Sequence, residues 1–164
     1  VTLACSFQAT EEGPETQSGT LPKDLPSPED GPHELDAGAD RVDIEVPASP
    51  PRSLCWARYP APLPDDPRIQ PCALAYLSDM NAMSAVHASY PQPKRDDMMG
   101  ASLDHAMWFH RSGRADDWVL LDMSGHGMVG SRGLATGLVF DRSGTHLATV
   151  AQEGLLRAPR RATR

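Results

Sequence analysis

The chain is expected to fold as an α+β unit in which a curled antiparallel sheet wraps around a central helix. Three observations carry that expectation. Residues 69–89 form one long apolar segment with residues recurring near helical spacing. A run of strand-like segments follows it, separated by turn signals that suit short antiparallel connections. Proline is unevenly spread, with thirteen of sixteen at or before Pro71, so the core should be built mainly from residues 69–157.

The elements follow in order. The chain opens on Val1, and residues 2–8 read as a short strand whose partners would precede it in sequence. Residues 9–39 are rich in Pro, Glu, Asp, Gly, Ser and Thr without an apolar period, which is the composition of a linker. Residues 41–46 alternate Val42, Ile44 and Val46 against charged neighbours, as a half-buried strand does, and Pro47, Pro50 and Pro51 end it. Residues 54–59, with Trp56, make another short strand. In the helix, Leu74, Leu77 and Ala85 share the apolar surface, Pro71 sits in a tolerant opening turn, and Tyr90-Pro91 closes the segment. Asp79 falls in its middle. Strands are expected at 101–109, 118–123, 133–140 and 147–156, punctuated by Ser112-Gly113 and Arg142-Ser143-Gly144.

Composition excludes several classes. A net charge of −7 argues against a nucleic-acid partner, because phosphate binding needs clustered Lys and Arg. Only the tail 158–164, with Arg160, Arg161 and Arg164 following Arg157, is basic, and a solvated terminus accounts for it. No apolar run reaches the roughly 20 residues of a membrane span. Cys5, Cys55 and Cys72 are odd in number and lack metal-ligand spacing, so reduced, mostly buried thiols, no bound metal and a cytoplasmic protein are expected.

Two segments set polar residues into strand-like apolar sequence: Ser-Leu-Asp-His-Ala-Met-Trp-Phe-His-Arg at 102–111 and Ala-Gln-Glu-Gly at 151–154. Together with Leu-Ser-Asp-Met-Asn at 77–81, Asp-Asp-Trp at 116–118 and Ser-Arg-Gly-Leu at 131–134, in that order, they resemble the acyl-CoA thioesterase II family. The resemblance covers residues 40–157. It implies a hot-dog fold, two copies of which make up a family member's chain, with 40–157 as the second repeat and 1–8 as the last strand of the first. Leu3-Ala4 and Gln8 echo Leu147-Ala148 and Gln152 in support of that division. It also implies hydrolysis of a fatty acyl-CoA thioester to free acid and coenzyme A, with no cofactor, by Asp79, Ser102 and Gln152. A thioester is already activated, so an oriented water, a proton acceptor and donors for the developing oxyanion suffice. Asp79 would be the base in a partly desolvated setting, Ser102 and Gln152 would hold the water, and nearby backbone N–H groups would serve the oxyanion. The chain departs from the family at Ser112-Gly113, where Pro-Phe is usual, and at 124–130, which adds His126.

The residues themselves leave other roles open. Asp104, His105 and His110 are candidates for an acid-base pair, yet strand alternation sends Asp104 to the face of Ser102 and His105 to the opposite one, which favours a structural role. Of Gln152 and Glu153 one must face inward, and Gln152 is the better choice. Met80, Met83, Met98, Met99 and Met107 would line an acyl tunnel or fill an irregular core. Trp108 and Phe109 read as core or interface aromatics. A lone hot-dog unit exposes a sheet edge, so a homo-oligomer joined through sheet edges is expected. Two further readings stand beside hydrolysis: a non-catalytic acyl-binding remnant, and a hydratase or dehydratase acting on enoyl thioesters through a His/Asp pair.

Overall fold

Residues 4–7, 9, 11–47, 50–88 and 99–157 are described in the computed structural model of the chain. Among the described residues eight strands form one antiparallel sheet: β1 (Glu34–Asp36), β2 (Ala39–Ile44), β3 (Arg52–Arg58), β4 (Met99–Ser102), β5 (Ala106–Phe109), β6 (Val119–Val129), β7 (Arg132–Asp141) and β8 (His146–Arg157). The order is β1-β2-β3-β6-β7-β8-β4, and β5 also pairs with β8. The sheet curls around two helical segments, α1 (Ile69–Asp79) and α2 (Ala82–Ala88), as the sequence leads one to expect.

Period-two patterning gives the sheet two faces. Cys55, Ala57, Val119, Leu121, Met123, Ala135, Val139 and Val150 point inward onto Leu74, Leu77, Ala82, Ala85 and Val86 of the helices. That burial is the main stabilising term, at roughly 25 cal/mol per Å² of apolar surface removed from water. α2 lies so close to the sheet that a Cβ at Gly125 would collide with the Ala85 carbonyl, and one at Gly133 with Val86. The two glycines therefore set the depth at which the helix seats.

The opposite face is also apolar near β2, β3 and β6, where Val42, Leu54, Trp56, Trp118, Leu120 and Phe140 are buried. The segment 9–39, linker-like in composition, covers them. Leu21 and Leu25 pack on this cluster, Trp56 Nε1 donates to the Pro26 carbonyl at 3.0 Å, and Arg142 bonds Glu29 at 2.6 Å. The same segment contributes a 3-10 turn at Pro28–Asp30 and the strand β1. Residues 4–7, where a strand is expected, carry no regular secondary structure, while Leu3, Gln8 and the tail 158–164 lie outside the described residues.

Two features depart from the sequence reading. The helix expected over 69–89 is broken at Met80–Asn81, so Asp79 is the last residue of α1 rather than mid-helix. The strand expected over 101–109 is likewise two strands, because Leu103 and Asp104 both turn their N–H groups onto the Glu153 carbonyl, at 2.9 and 3.3 Å. Alternation is lost across that interruption.

The β7–β8 turn is organised by one carboxylate. Asp141 Oδ1 accepts from the N–H groups of Ser143 and Thr145, both at 2.9 Å, and from Ser143 Oγ at 2.7 Å, while Gly144 takes the left-handed φ of 88°. Burial works to raise its pKa, but the bonds from Ser143 and Thr145 outweigh that and hold it below the usual 3.8. A depressed folded-state pKa means stability that is present above the unfolded value and lost as pH falls through the folded one. Asp141→Ala is expected to cost about 1–2 kcal/mol near neutrality. The difference from wild type should shrink below about pH 4, which urea titrations across that range check.

Candidate active site

Asp79, Ser102 and Gln152 meet at the inner mouth of the sheet, beside the helix break. Asp79 ends α1, Ser102 ends β4, and Gln152 lies mid-way along β8, where alternate residues face inward and Gln152 is fully buried. Glu153 points the other way and approaches Arg132 at 3.4 Å. Register brings the pieces together, since Ser102 lies opposite Gly154 across the β4–β8 pair.

The three side chains form a closed hydrogen-bond set. Gln152 Nε2 donates to Asp79 Oδ1 at 2.5 Å and to Ser102 Oγ at 2.6 Å, and Ser102 Oγ donates to Asp79 Oδ1 at 3.2 Å. Both bonds to Asp79 fall on Oδ1, which leaves Oδ2 without a protein partner among the described residues. The site is open, because the Asp79 side chain is 54 % exposed, which differs from the partly desolvated base that the resemblance implies. The cause is local, as Asp79 ends a helix at the rim instead of lying within one.

His105 joins this set, contrary to the face that alternation assigns it. Its ring, 23 % exposed, places Nδ1 3.1 Å from Gln152 Oε1 and 3.9 Å from Asp79 Oδ1, and Nε2 2.9 Å from Ser78 Oγ. Donor counting places a hydrogen on Nδ1. The end of Gln152 that touches a carboxylate must be its amide NH2, so Oε1 faces His105 and Nδ1 must carry a hydrogen. His105 thereby orients Gln152, while Ser78 holds the ring from α1. The signal that could have found it is the break at Leu103–Asp104, which cannot be read from an alternation rule.

The other polar candidates serve structure. Asp104 Oδ1 accepts from the Glu153 N–H at 2.7 Å, pinning the β4–β5 interruption to β8. Because Leu103 and Asp104 N–H are spent on Glu153, and Glu153 N–H on Asp104, these nearby backbone donors are not free for an oxyanion. His110 bonds Thr149 Oγ1 at 2.8 Å and packs against His146, and His126 bonds Thr136 Oγ1 at 2.7 Å, both away from Asp79. Met80, Met83 and Met107 are partly buried against the core, Met99 is exposed, and Met98 lies outside the described residues. Of the three thiols expected to be mostly buried, only Cys55 is, and burial pushes it up to about 12, away from the thiolate a nucleophile needs; Cys5 and Cys72 are exposed, because they lie outside the apolar face of the sheet and the helix. Among the described residues no group of three or more His, Cys, Asp or Glu is arranged to hold a metal, and no helix is long and apolar enough to cross a membrane.

The family model for acyl-CoA thioesterase matches residues 48–155, which contain every residue of this constellation. The chain belongs to the acyl-CoA thioesterase family. It is 36 % identical over 109 residues to acyl-CoA thioesterase 2 of Haemophilus influenzae, a match covering 66 % of this chain and 38 % of that protein. Among solved structures it is similar to an acyl-CoA thioesterase II from Mycobacterium marinum, with 35 % identity and a TM-score of 0.79, covering 92 % of this chain and 60 % of that one. A hot-dog protein of Alicyclobacillus acidocaldarius, 16 % identical, superposes with a TM-score of 0.60 over 91 % of this chain and 59 % of its own, which shows the shared fold. This member thus has the hot-dog fold and spans well under half the length of the curated relative.

Proposed function

We propose that the chain hydrolyses fatty acyl-CoA thioesters, with Asp79 as base and Ser102 and Gln152 as the groups that hold the attacking water. The observation that carries this is the shared hydrogen-bond set, in which Gln152 and Ser102 both donate to one oxygen of Asp79 and leave the other open, so that they hold the water through the carboxylate they orient. Water bound at that open oxygen gives up a proton to Asp79 as it attacks the thioester carbon. The tetrahedral intermediate then expels the coenzyme A thiolate, which takes up a proton, and the free acid leaves. No acyl-enzyme forms.

A second reading rests on the nearness of the His105 ring to Asp79, 3.9 Å from Nδ1 to Oδ1 without a direct hydrogen bond, which puts a His and an Asp at one mouth as a hydratase acting on an enoyl thioester needs. The two readings part at the product. Hydrolysis releases a free thiol from a saturated acyl-CoA, whereas hydration consumes an enoyl-CoA and leaves its thioester intact. His105→Ala is expected to lower thiol release by about 10–100-fold through a misoriented Gln152, with no hydration of enoyl-CoA by either protein. Hydration by wild type that His105→Ala abolishes, without thiol release, would replace hydrolysis by the second reading.

The edge formed by β4 and β5 is the proposed site of assembly. Met99, Leu103, Trp108 and Phe109 along it are 67, 50, 54 and 48 % exposed, and an open strand edge invites pairing. Another hot-dog unit, from a second copy or from a first repeat in a longer chain, would cover it and narrow the open mouth at Asp79. Residues 40–157 would then be the hydrolytic unit, and the acyl chain would run past Met80, Met83 and Met107. A cytoplasmic setting is proposed on the free thiols of Cys5, Cys55 and Cys72, which suit a reducing compartment.

A further inference from the structure

Asp79 owes its place to the break between α1 and α2, and that break is held by buried polar residues that touch no reacting atom. Asn81 is fully buried and bridges to the sheet through both ends of its amide. Its Oδ1 accepts from Ser53 Oγ at 2.9 Å and from Arg41 Nη2 at 3.3 Å, and its Nδ2 reaches the carbonyls of Ser53 and Leu121, both at 3.5 Å. Arg41, 4 % exposed, also donates from Nη1 to the Met80 carbonyl at 3.4 Å, and Asp43 takes its charge at 2.6 Å. A cation at the last carbonyls of α1 complements the helix dipole. The backbone tightens at the same point, with Met80 N–H bonded to the Leu77 carbonyl at 3.2 Å.

Neither Gly nor Pro lies between Ala73 and Ala88, so nothing in the local sequence demands a break there. Burying an amide and a guanidinium costs free energy that apolar side chains of similar size would not. The outlay is intelligible if the break itself is what must be fixed. We propose that Arg41 and Asn81 are positioning residues: they pin the α1–α2 break to β2, β3 and β6 and so hold Asp79 within hydrogen-bond reach of Gln152 and Ser102. The proposal rests on Asp79 being the base, and it concerns geometry that can be read without turnover.

The test uses Asn81→Leu and Arg41→Met in the whole chain, followed by the side-chain amide resonance of Gln152, identified by its loss in Gln152→Glu. In wild type that amide is bonded to Asp79 and Ser102, so slow exchange is expected. Each variant is expected to speed its exchange at least tenfold and to lower kcat by about tenfold or more with KM within about twofold, as small misplacements of a catalytic group do. Backbone amides of β7 and β8 should keep their protection. Should Asn81→Leu fail to fold, Ser53→Ala, which deletes one bond to Asn81, carries the same readout at smaller amplitude. A folded variant whose Gln152 amide exchanges as in wild type overturns the proposal. If Asp79→Asn leaves hydrolysis intact while Asn81→Leu frees the Gln152 amide, the positioning stands and the assignment of the base falls.

Discussion

Asp79→Asn is expected to lower coenzyme A release from acyl-CoA by about 10²–10⁴-fold, the range that a positioned general base supplies. The substitution is nearly isosteric, and its amide oxygen can still accept from Gln152 Nε2 and Ser102 Oγ, so the fold and its melting temperature should change little. What disappears is the ability to take a proton from water. Release of free thiol, followed with a thiol-reactive dye on both proteins at several substrate concentrations, checks this. Retention of more than about a tenth of the wild-type kcat would remove Asp79 from the role of base, because general-base loss costs at least two decades.

The largest effect on stability is expected at Leu77, two residues before Asp79. Its side chain is fully buried between α1 and the sheet, within the cluster that includes Leu74, Leu121 and Met123. Truncation to Ala removes the transfer free energy of three carbons and leaves a cavity that a close-packed sheet cannot collapse into, for a loss of about 2–5 kcal/mol. For a chain of this size that lowers the melting temperature by roughly 5–15 °C. Urea titration read by Trp56 and Trp118 fluorescence measures it, since both indoles are buried in the cluster on the other face of the sheet. A loss under about 1 kcal/mol would mean that the interior at Leu77 is loosely packed, against the close packing of α1 on the sheet.

Much of the fold was legible because it depends on local periodicity. β6, β7 and β8 are strand-like apolar segments set off by turn signals, and the run at 69–89 is apolar over most of its surface, so the sheet around a helix follows. The missed features depend on partners distant in sequence. The helix breaks at Met80–Asn81 because Arg41 and Ser53, 40 and 28 residues away, bind Asn81, and no helical rule contains them. β4 and β5 separate because Leu103 and Asp104 turn onto Glu153, which reverses the face of His105 and brings it into the site. Compositional reading of 9–39 as a linker overlooked that Leu21 and Leu25 are enough to cover Trp56 and its neighbours. Asp79, Ser102 and Gln152 came from the resemblance. Their mutual geometry follows from β4–β8 register and the helix break.

The central claim is that water, oriented at Asp79 by Ser102 and Gln152, attacks the thioester directly. The most direct test is a single-turnover reaction with protein in excess over a long-chain acyl-CoA, quenched at intervals, with coenzyme A, free acid and the intact mass of the protein measured in each sample. Direct hydrolysis predicts that coenzyme A and free acid appear together at one rate and that the protein mass never changes. Coenzyme A released ahead of the acid, with an acyl adduct on Ser102 or Asp79, would contradict direct attack by water, as would folded protein that releases neither.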